Sequence, residues 1–421
     1  MDDRFLAYKI LSKIEHDKAY SNITLENVLN KNEASSASFV RALVYGVLER
    51  KITLDYYLSA VLSQPIKKLN PNVLTILRLG AYQILYMDKV PVSAAVNESV
   101  KLSRKVKCAY ASGLVNSVLR KISLDNIKIT KTNNTIKDLS IEYSCPEELV
   151  SQFVNDYGYT YAEKILKSSI GSVPTFIRVN TLKIAAKDLI LELEKEGIIA
   201  KLCNETDAAL EIISGSSIFQ SKCFKNGLFH AQDLASQRCV ENLAPEKGDV
   251  VFDMCAAPGG KSFTMAQIME NDGEIYSFDL YEHKIKLIKD GADRLGINII
   301  NAKISDSSIY CSDLPKADKI LCDVPCAGLG VIRRKPEIKY KDFGFVDKLC
   351  ELQYNILNNA SLYLKDKGVL MYSTCSLSKK ENEDVCNRFL EEHKEFANGG
   401  MVTVEPHTNS DGFFFAKLIK E

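Results

Sequence analysis

No stretch of this sequence approaches the roughly 18 consecutive apolar residues that a membrane-spanning helix needs. Its start, Met1-Asp2-Asp3-Arg4, lacks the basic-then-apolar order of a signal peptide. Both absences lead us to expect a cytoplasmic protein with no membrane partner. Cys-x-x-Cys pairs are missing and only five histidines occur. A structural zinc site is therefore not expected, nor any other metal. The twelve cysteines are scattered and carry no export context, so reduced thiols are expected rather than disulfides. The Gly-x-Gly-x-x-Gly fingerprint and the Walker loop are both absent, so pyrophosphate is not the obvious ligand. There is no long internal repeat and no low-complexity tract.

The formal net charge is zero, which by itself argues against a nucleic-acid partner. Its distribution argues for one. Between Val61 and Lys128 stand eleven basic residues (67, 68, 78, 89, 101, 104, 105, 107, 120, 121 and 128) against three acids, Asp88, Glu98 and Asp125. Such an excess is an electrostatic footprint for phosphates, although a solvated helix face gives the same pattern.

At 421 residues, 46% hydrophobic and 26% charged, the chain suits a folded protein of two or three domains. From Asp3 to about Leu124 the apolar spacing is helical. Phe39, Leu43, Val44 and Val47 recur at three and four residues, as do Val73, Ile76, Leu77, Leu79 and Ile84. Asn70-Pro71 and Val90-Pro91-Val92-Ser93 mark helix boundaries. This predicts an all-α domain over 1–125. Residues 126–140 read as a polar linker, with a helical connector to 170 that starts near Ser144 and Pro146. Over 171–235, short β-rich runs (Thr175–Val179, Ala209–Ile213, Leu228–His230) flank a helix near Ala186–Glu196, a small α+β module.

The remaining residues, 236–421, alternate strand and helix. Strands are predicted at Val250–Met254, Glu274–Phe278, Ile299–Ile304, Lys319–Cys322 and Val369–Tyr372, with a last one near Gly412–Leu418. This pattern predicts a Rossmann-like, doubly wound α/β sheet. Three strand ends carry distinctive residues. The first opens Asp253-Met254-Cys255-Ala256-Ala257-Pro258-Gly259-Gly260-Lys261, where small residues allow close backbone approach. Asp279 ends the second strand, where an acid bonds ribose hydroxyls. Asp306 follows the third and could bond an adenine amino group. Either acid alone has a helix N-cap as its alternative role. Together beside this loop they fit a nucleoside without phosphates, S-adenosylmethionine.

The two other strand ends are Asp323-Val324-Pro325-Cys326 and Ser373-Thr374-Cys375-Ser376. Carbon 5 of cytosine is a poor nucleophile. A thiolate added at carbon 6 makes carbon 5 enamine-like and able to take a methyl group. A base must then remove the carbon 5 proton and the thiolate must leave. Asp323 is placed to bond the amino edge or ring nitrogen of cytosine. For a lone strand cysteine such as Cys322 or Cys311, core packing is the expected role.

These motifs, with Glu381-Asn382-Glu383, resemble the signatures of RNA cytosine-5 methyltransferases. The helical segment is similar to NusB, an RNA-binding antitermination factor, through Phe39–Val47, Ala94–Val100 and Gly113–Arg120. The combination resembles the RsmB (Sun/Fmu) group, which methylates one cytosine of 16S rRNA. The resemblance implies a multidomain fold: an N-terminal NusB-like all-α domain, a small α+β RNA-binding module and a class I S-adenosylmethionine-dependent methyltransferase domain. It implies Cys375 as nucleophile, Cys326 assisting proton removal and release, and Asp323 beside both base and cofactor. Cys255, Ala256, Ala257, Pro258, Gly259, Gly260, Lys261, Asp279 and Asp306 would hold or border S-adenosylmethionine. Arg178 and Asn180 resemble an RNA-binding element, and Gln232-Asp233 one packed beside the cofactor. Arg333, Arg334 and Lys335 resemble a basic loop near the substrate. Ala327, Glu337 and Cys145 stand where Ser, Asp and His are common.

The implied partner is 16S rRNA or a partly assembled small subunit, met by a monomer. A tRNA or another rRNA cytosine is the alternative target. DNA enzymes are disfavoured, because they use the Pro-Cys cysteine as nucleophile and lack the second thiol. A non-catalytic RNA-binding factor of the NusB kind would need a degraded cofactor loop or a missing thiol, and neither is present.

Overall fold

The computed structural model describes residues 2–17, 21–32, 34–124, 127–171, 174–215, 217–406 and 410–421. The expected domain boundary at 125–126 lies outside them, as does Asp125. The chain divides into two compact units. One holds 1–171 and Ile332–Lys341; the other holds 172–331 and 342–421. No helix among the described residues is long and apolar enough to cross a membrane.

The first unit is all-α over its described residues. Its helices include Asp3–Asp17, Ser21–Lys31, Ala37–Glu49, Lys51–Val61, Pro71–Tyr86, Val92–Lys105 and Ser112–Leu124. The predicted apolar stripes form its core, where Leu43, Val44, Ile76 and Leu77 are fully buried. Asn70 caps its helix by accepting from the Asn72 backbone, with Pro71 following. The linker ends sooner than expected. Asn134 caps a helix, Thr135–Tyr143, that packs on this unit: the Thr53 hydroxyl donates to Ile141 O (2.6 Å) and Ile52 N to Ser144 Oγ (2.9 Å). Of the basic run, Arg78 faces inward. Its guanidinium donates twice to Asp55 and once to Glu15, each at 2.7 Å. Burial alone would lower its pKa, and the two carboxylates outweigh that. It is a core ion pair and offers nothing to phosphate.

The second unit opens with a four-stranded antiparallel sheet: β1 (Thr175–Val179), β2 (Ile199–Leu202), β3 (Ala209–Ser214) and β4 (Phe229–Ala231), in the order β2-β3-β1-β4. The edge strand β2 escaped the sequence reading because it is four residues long with one buried side chain. The large sheet contains β5 (Val250–Asp253), β6 (Glu274–Asp279), β7 (Ile300–Ile304), β8 (Ala317–Asp323), β9 (Leu364–Thr374), β10 (Phe396–Val404) and β11 (Phe413–Lys420). Its order is β10-β11-β9-β8-β5-β6-β7, with β7, β6, β5, β8 and β9 parallel and β11 antiparallel to β9. Strand order reverses between β5 and β8. A doubly wound sheet opens its ligand crevice there, beyond the carboxyl ends of the strands.

Candidate active site

The two strands flanking the reversal end on acids, Asp253 on β5 and Asp323 on β8. The next strand outward, β9, ends at Thr374. The thiol-bearing loops therefore start side by side. Asp323 pairs with Ser373 in the parallel register, and Val324 N donates to Ser373 O (3.1 Å). This brings the Cys326 and Cys375 sulfurs to 3.1 Å, within hydrogen-bonding reach. The Cys326 thiol is pushed well above the ordinary thiol range, first by its bond with Cys375 and then by burial. In such a pair the raised group keeps the proton and can donate it toward a thiolate on its partner.

Asp323 is held on both oxygens. Lys261 Nζ lies 2.6 Å from Oδ2, and Ser373 Oγ donates to Oδ1 at 2.8 Å. Burial would lower the Lys261 pKa, but Asp323 more than offsets this and the ammonium is raised. A carboxylate so fixed offers its oxygens as hydrogen-bond acceptors. Its side chain keeps 29% exposure, so it remains open to a ligand.

The loop after β5 folds over the crevice. Ala256 N donates to Phe278 O (2.8 Å), tying the loop to β6, and Gly259 N to Ala256 O (2.7 Å). Gly259 has φ +110°, and a Cβ there would stand 2.4 Å from the Phe263 ring. Only glycine meets both demands. Helix Gly260–Ile268 follows directly. Asp253 accepts from Ser262 Oγ (2.6 Å), while its other oxygen is buried without a partner. Burial pushes its carboxyl up to about 7. Asp279 is buried beside Lys284 Nζ (3.2 Å) at the end of β6. Burial first, then Asp253, Asp323 and Asp279, raises the Cys255 thiol, so three carboxylates converge on this loop. The Asp279 carboxylate at the end of β6 can accept from ribose hydroxyl donors. S-adenosylmethionine fits these residues. Asp306 lies after β7 on an exposed turn, where its Oδ1 accepts from Ser308 N (2.9 Å) and Oγ (2.6 Å).

Two of the residues expected to contact RNA, Arg178 and Asn180, are enclosed by protein partners. Arg178 is 4% exposed and bonded to Glu241, Gln237 and Gln267 (3.0, 3.2 and 3.3 Å). Burial lowers its pKa despite Glu241. Asn180 is fully buried and donates to Gly227 O and Leu295 O, both at 2.8 Å. Both residues tie the small module to helices that flank the large sheet, Leu234–Leu243 and Gly260–Ile268 for Arg178 and Glu282–Leu295 for Asn180. Arg333 is buried as well, and Arg334 and Lys335 are half-buried. They sit at the start of Ile332–Lys341, the segment that belongs to the helical unit. Gln232 does lie by the cofactor loop, accepting from Thr264 Oγ1 (2.6 Å).

Comparison with known proteins gives this arrangement its relatives. Residues 240–419 match the family 16S rRNA methyltransferase RsmB/F. Residues 1–124 match the NusB family, and 145–218 the ferredoxin-like domain of RsmF/B-like methyltransferases. The probable ribosomal RNA small subunit methyltransferase B of Bacillus subtilis (strain 168) is 35% identical over 442 residues, spanning 99% of this chain and 98% of the relative. The chain belongs to the RsmB/F family. It is an rRNA small-subunit methyltransferase of that family, with the helical domain, the small module and the Rossmann-like domain that its sequence predicts. The crystal structure of PH0851 superposes with TM-score 0.83 at 25% identity, covering 100% of this chain and 99% of that one. NSun6 from Pyrococcus horikoshii, solved with SFG, gives 0.60 at 26% identity, over 65% and 98%.

Sequence reading missed part of this RsmB/F site. Ser262 and Gln353 carry no motif that marks them, and Ser373 reads only as part of the Cys375 motif, without a partner. Ser373 meets Asp323 because β8 and β9 are parallel and adjacent, while Ser262 and Gln353 reach their partners from helices Gly260–Ile268 and Val346–Ser361.

Proposed function

We propose that this protein methylates carbon 5 of a cytosine in 16S rRNA through a covalent adduct on Cys375. The observation that carries the reading is the pair of sulfurs 3.1 Å apart beside a carboxylate held by lysine and serine. When bound, S-adenosylmethionine supplies an electrophilic methyl group; an analogue of it, SFG, accompanies the NSun6 relative.

The Asp253–Lys261 loop, Asp279 and Asp306 would hold that cofactor. Asp323 accepts from the cytosine amino group, which uracil lacks, so it selects the base. Cys375 adds as thiolate to carbon 6, and the π electrons move to carbon 5, which takes the methyl group. The carbon 5 proton passes to solvent, and Cys326, in contact with the attacking sulfur, would assist that removal. The returning electrons re-form the double bond and expel Cys375. A second thiol in contact with the nucleophile favours an RNA enzyme over a DNA one.

Bisulfite sequencing of small-subunit rRNA and tRNA, from cells with and without the gene, tests the target. One protected 16S cytosine should disappear with the gene. Loss confined to tRNA would overturn the rRNA assignment, and no change anywhere would overturn the carbon 5 chemistry.

A further inference from the structure

Two loops separated in sequence must be held in a fixed relation if their sulfurs are to cooperate. Backbone pairing of β8 and β9 ends at Asp323 and Ser373, so it stops short of both cysteines. Something else must place them.

Cys326 is gripped on both flanks. On one side, Gln353 Nε2 donates to Pro325 O (2.9 Å). On the other, Ala327 N donates to Glu381 Oε1 (2.7 Å). The same Oε1 accepts from Gln353 Nε2 (3.1 Å), so the two grips are one network. Glu381 reaches the second loop with its other oxygen, which accepts from the hydroxyl of Ser376, the residue after Cys375. Its own backbone carbonyl accepts from the Tyr372 hydroxyl on β9. Glu381 and Gln353 are fully buried. A last tie runs from Gly330 N to Cys375 O (2.9 Å), and a Cβ at Gly330 would meet Gly412 O at 1.9 Å.

We infer that Glu381 is a positioning residue, a buried carboxylate that staples the Cys326 loop to the Cys375 loop and so sets the sulfur-to-sulfur distance. A carboxylate suits the task because it accepts from donors on both loops and gives nothing back. It touches neither base nor cofactor in this role. The small size of Ala327 follows: its contribution is a backbone N–H, and its side chain is buried. The inference rests on the two-thiol reading above, yet its test does not depend on methylation.

Reach and charge can be separated. Glu381→Gln keeps the length and the Oε1 acceptor, and its amide can donate to Ser376 Oγ once that hydroxyl turns. Glu381→Asp keeps the charge but is one methylene too short to span both loops. Two readouts apply to the full-length protein. The first is the rate at which diamide, a thiol oxidant, joins Cys326 to Cys375, followed by peptide mass spectrometry. The second is kcat and KM for methylation of 16S rRNA.

Positioning predicts that Glu381→Asp slows disulfide formation and lowers kcat by ~10²-fold, since a misplacement near 1 Å costs about that much. KM should hold, and Glu381→Gln should stay within about tenfold of wild type in both readouts. Equal disulfide rates in all three proteins, or Asp outperforming Gln, would overturn the staple. If the wild type forms the disulfide but yields no 5-methylcytosine, the function falls and the staple is still judged by the rates.

Discussion

Lys261 and Asp323, 62 residues apart in sequence, meet at 2.6 Å across the point where strand order reverses. In the proposed mechanism the lysine comes from the loop that holds the cofactor and the acid from the strand end that reads the base. One ion pair thus ties the two substrates' sites together. Lys261 is also 5.2 Å above the Phe413 ring, which limits where its ammonium can go. Lys261→Met keeps the stem and removes the charge. Methylation should fall by ~10²-fold, the scale of losing one preorganised charge at an active site. Single-turnover kinetics checks this, and a variant with wild-type rate would separate Lys261 from the chemistry.

His230 should govern part of the response to acid. It is buried beside Gln232 and Thr264, and burial lowers its pKa from 6.5 to about 3. A depressed histidine is neutral in the folded state but takes up a proton when unfolded. Its contribution is present above pH 6.5 and is lost as pH falls from 6.5 toward 3. Asp253 has the opposite sign. Its raised carboxyl favours the folded state at low pH, and that is lost as pH rises from 3.8 toward 7. The two partly cancel in the wild type. Comparison with His230→Gln isolates the histidine. Below pH 6.5 the wild type should lose about 1.4 kcal/mol per pH unit relative to the variant. Urea unfolding at pH 7, 6 and 5 measures it, and parallel pH curves would refute it.

The segment Ile332–Lys341 is expected to stabilise the helical unit from a great distance along the chain. Glu337 accepts from Ser21 N (2.9 Å) and Oγ (2.8 Å), 316 residues away. Its carboxylate caps the start of helix Ser21–Lys31, which has no acid of its own in the first turn. Lys339, fully enclosed, donates to Glu49 O (2.8 Å), and burial lowers its pKa to about 8. Glu337→Ala leaves the buried Ser21 amide without this acceptor, a cost of about 1–3 kcal/mol. The melting temperature of the helical unit should fall accordingly. An unchanged melting curve would show that the cap is not made.

What the sequence revealed, and what it hid, follow from the range of the interactions. Cys326, Cys375, Asp323 and the Asp253–Lys261 loop were legible because each sits where an apolar run stops, a local signal. Strand β9 was seen only in its buried half, since Lys365-Asp366-Lys367-Gly368 reads as loop. β10 was missed because Asn398-Gly399-Gly400 mimics a turn, whereas the structure makes it a bulge between Asn398 and Met401. Arg178, Asn180 and Arg78 read as surface groups because charge and amide usually are. Their burial depends on partners such as Glu241, Leu295 and Asp55, which nothing in the local pattern brings near. Glu337 reads only as standing where Asp is common, and its bond to Ser21 joins residues too far apart in sequence to be read locally.

The division of labour between the two thiols is tested most directly on a denaturing gel. Purified wild type, Cys326→Ala and Cys375→Ala proteins are incubated with 16S rRNA and S-adenosylmethionine. The expected result is a slow-migrating protein–RNA band with Cys326→Ala, which attacks the base but cannot release it. Cys375→Ala should give neither band nor methylation. A stable adduct on Cys375→Ala, or normal turnover by Cys326→Ala, would contradict the assignment.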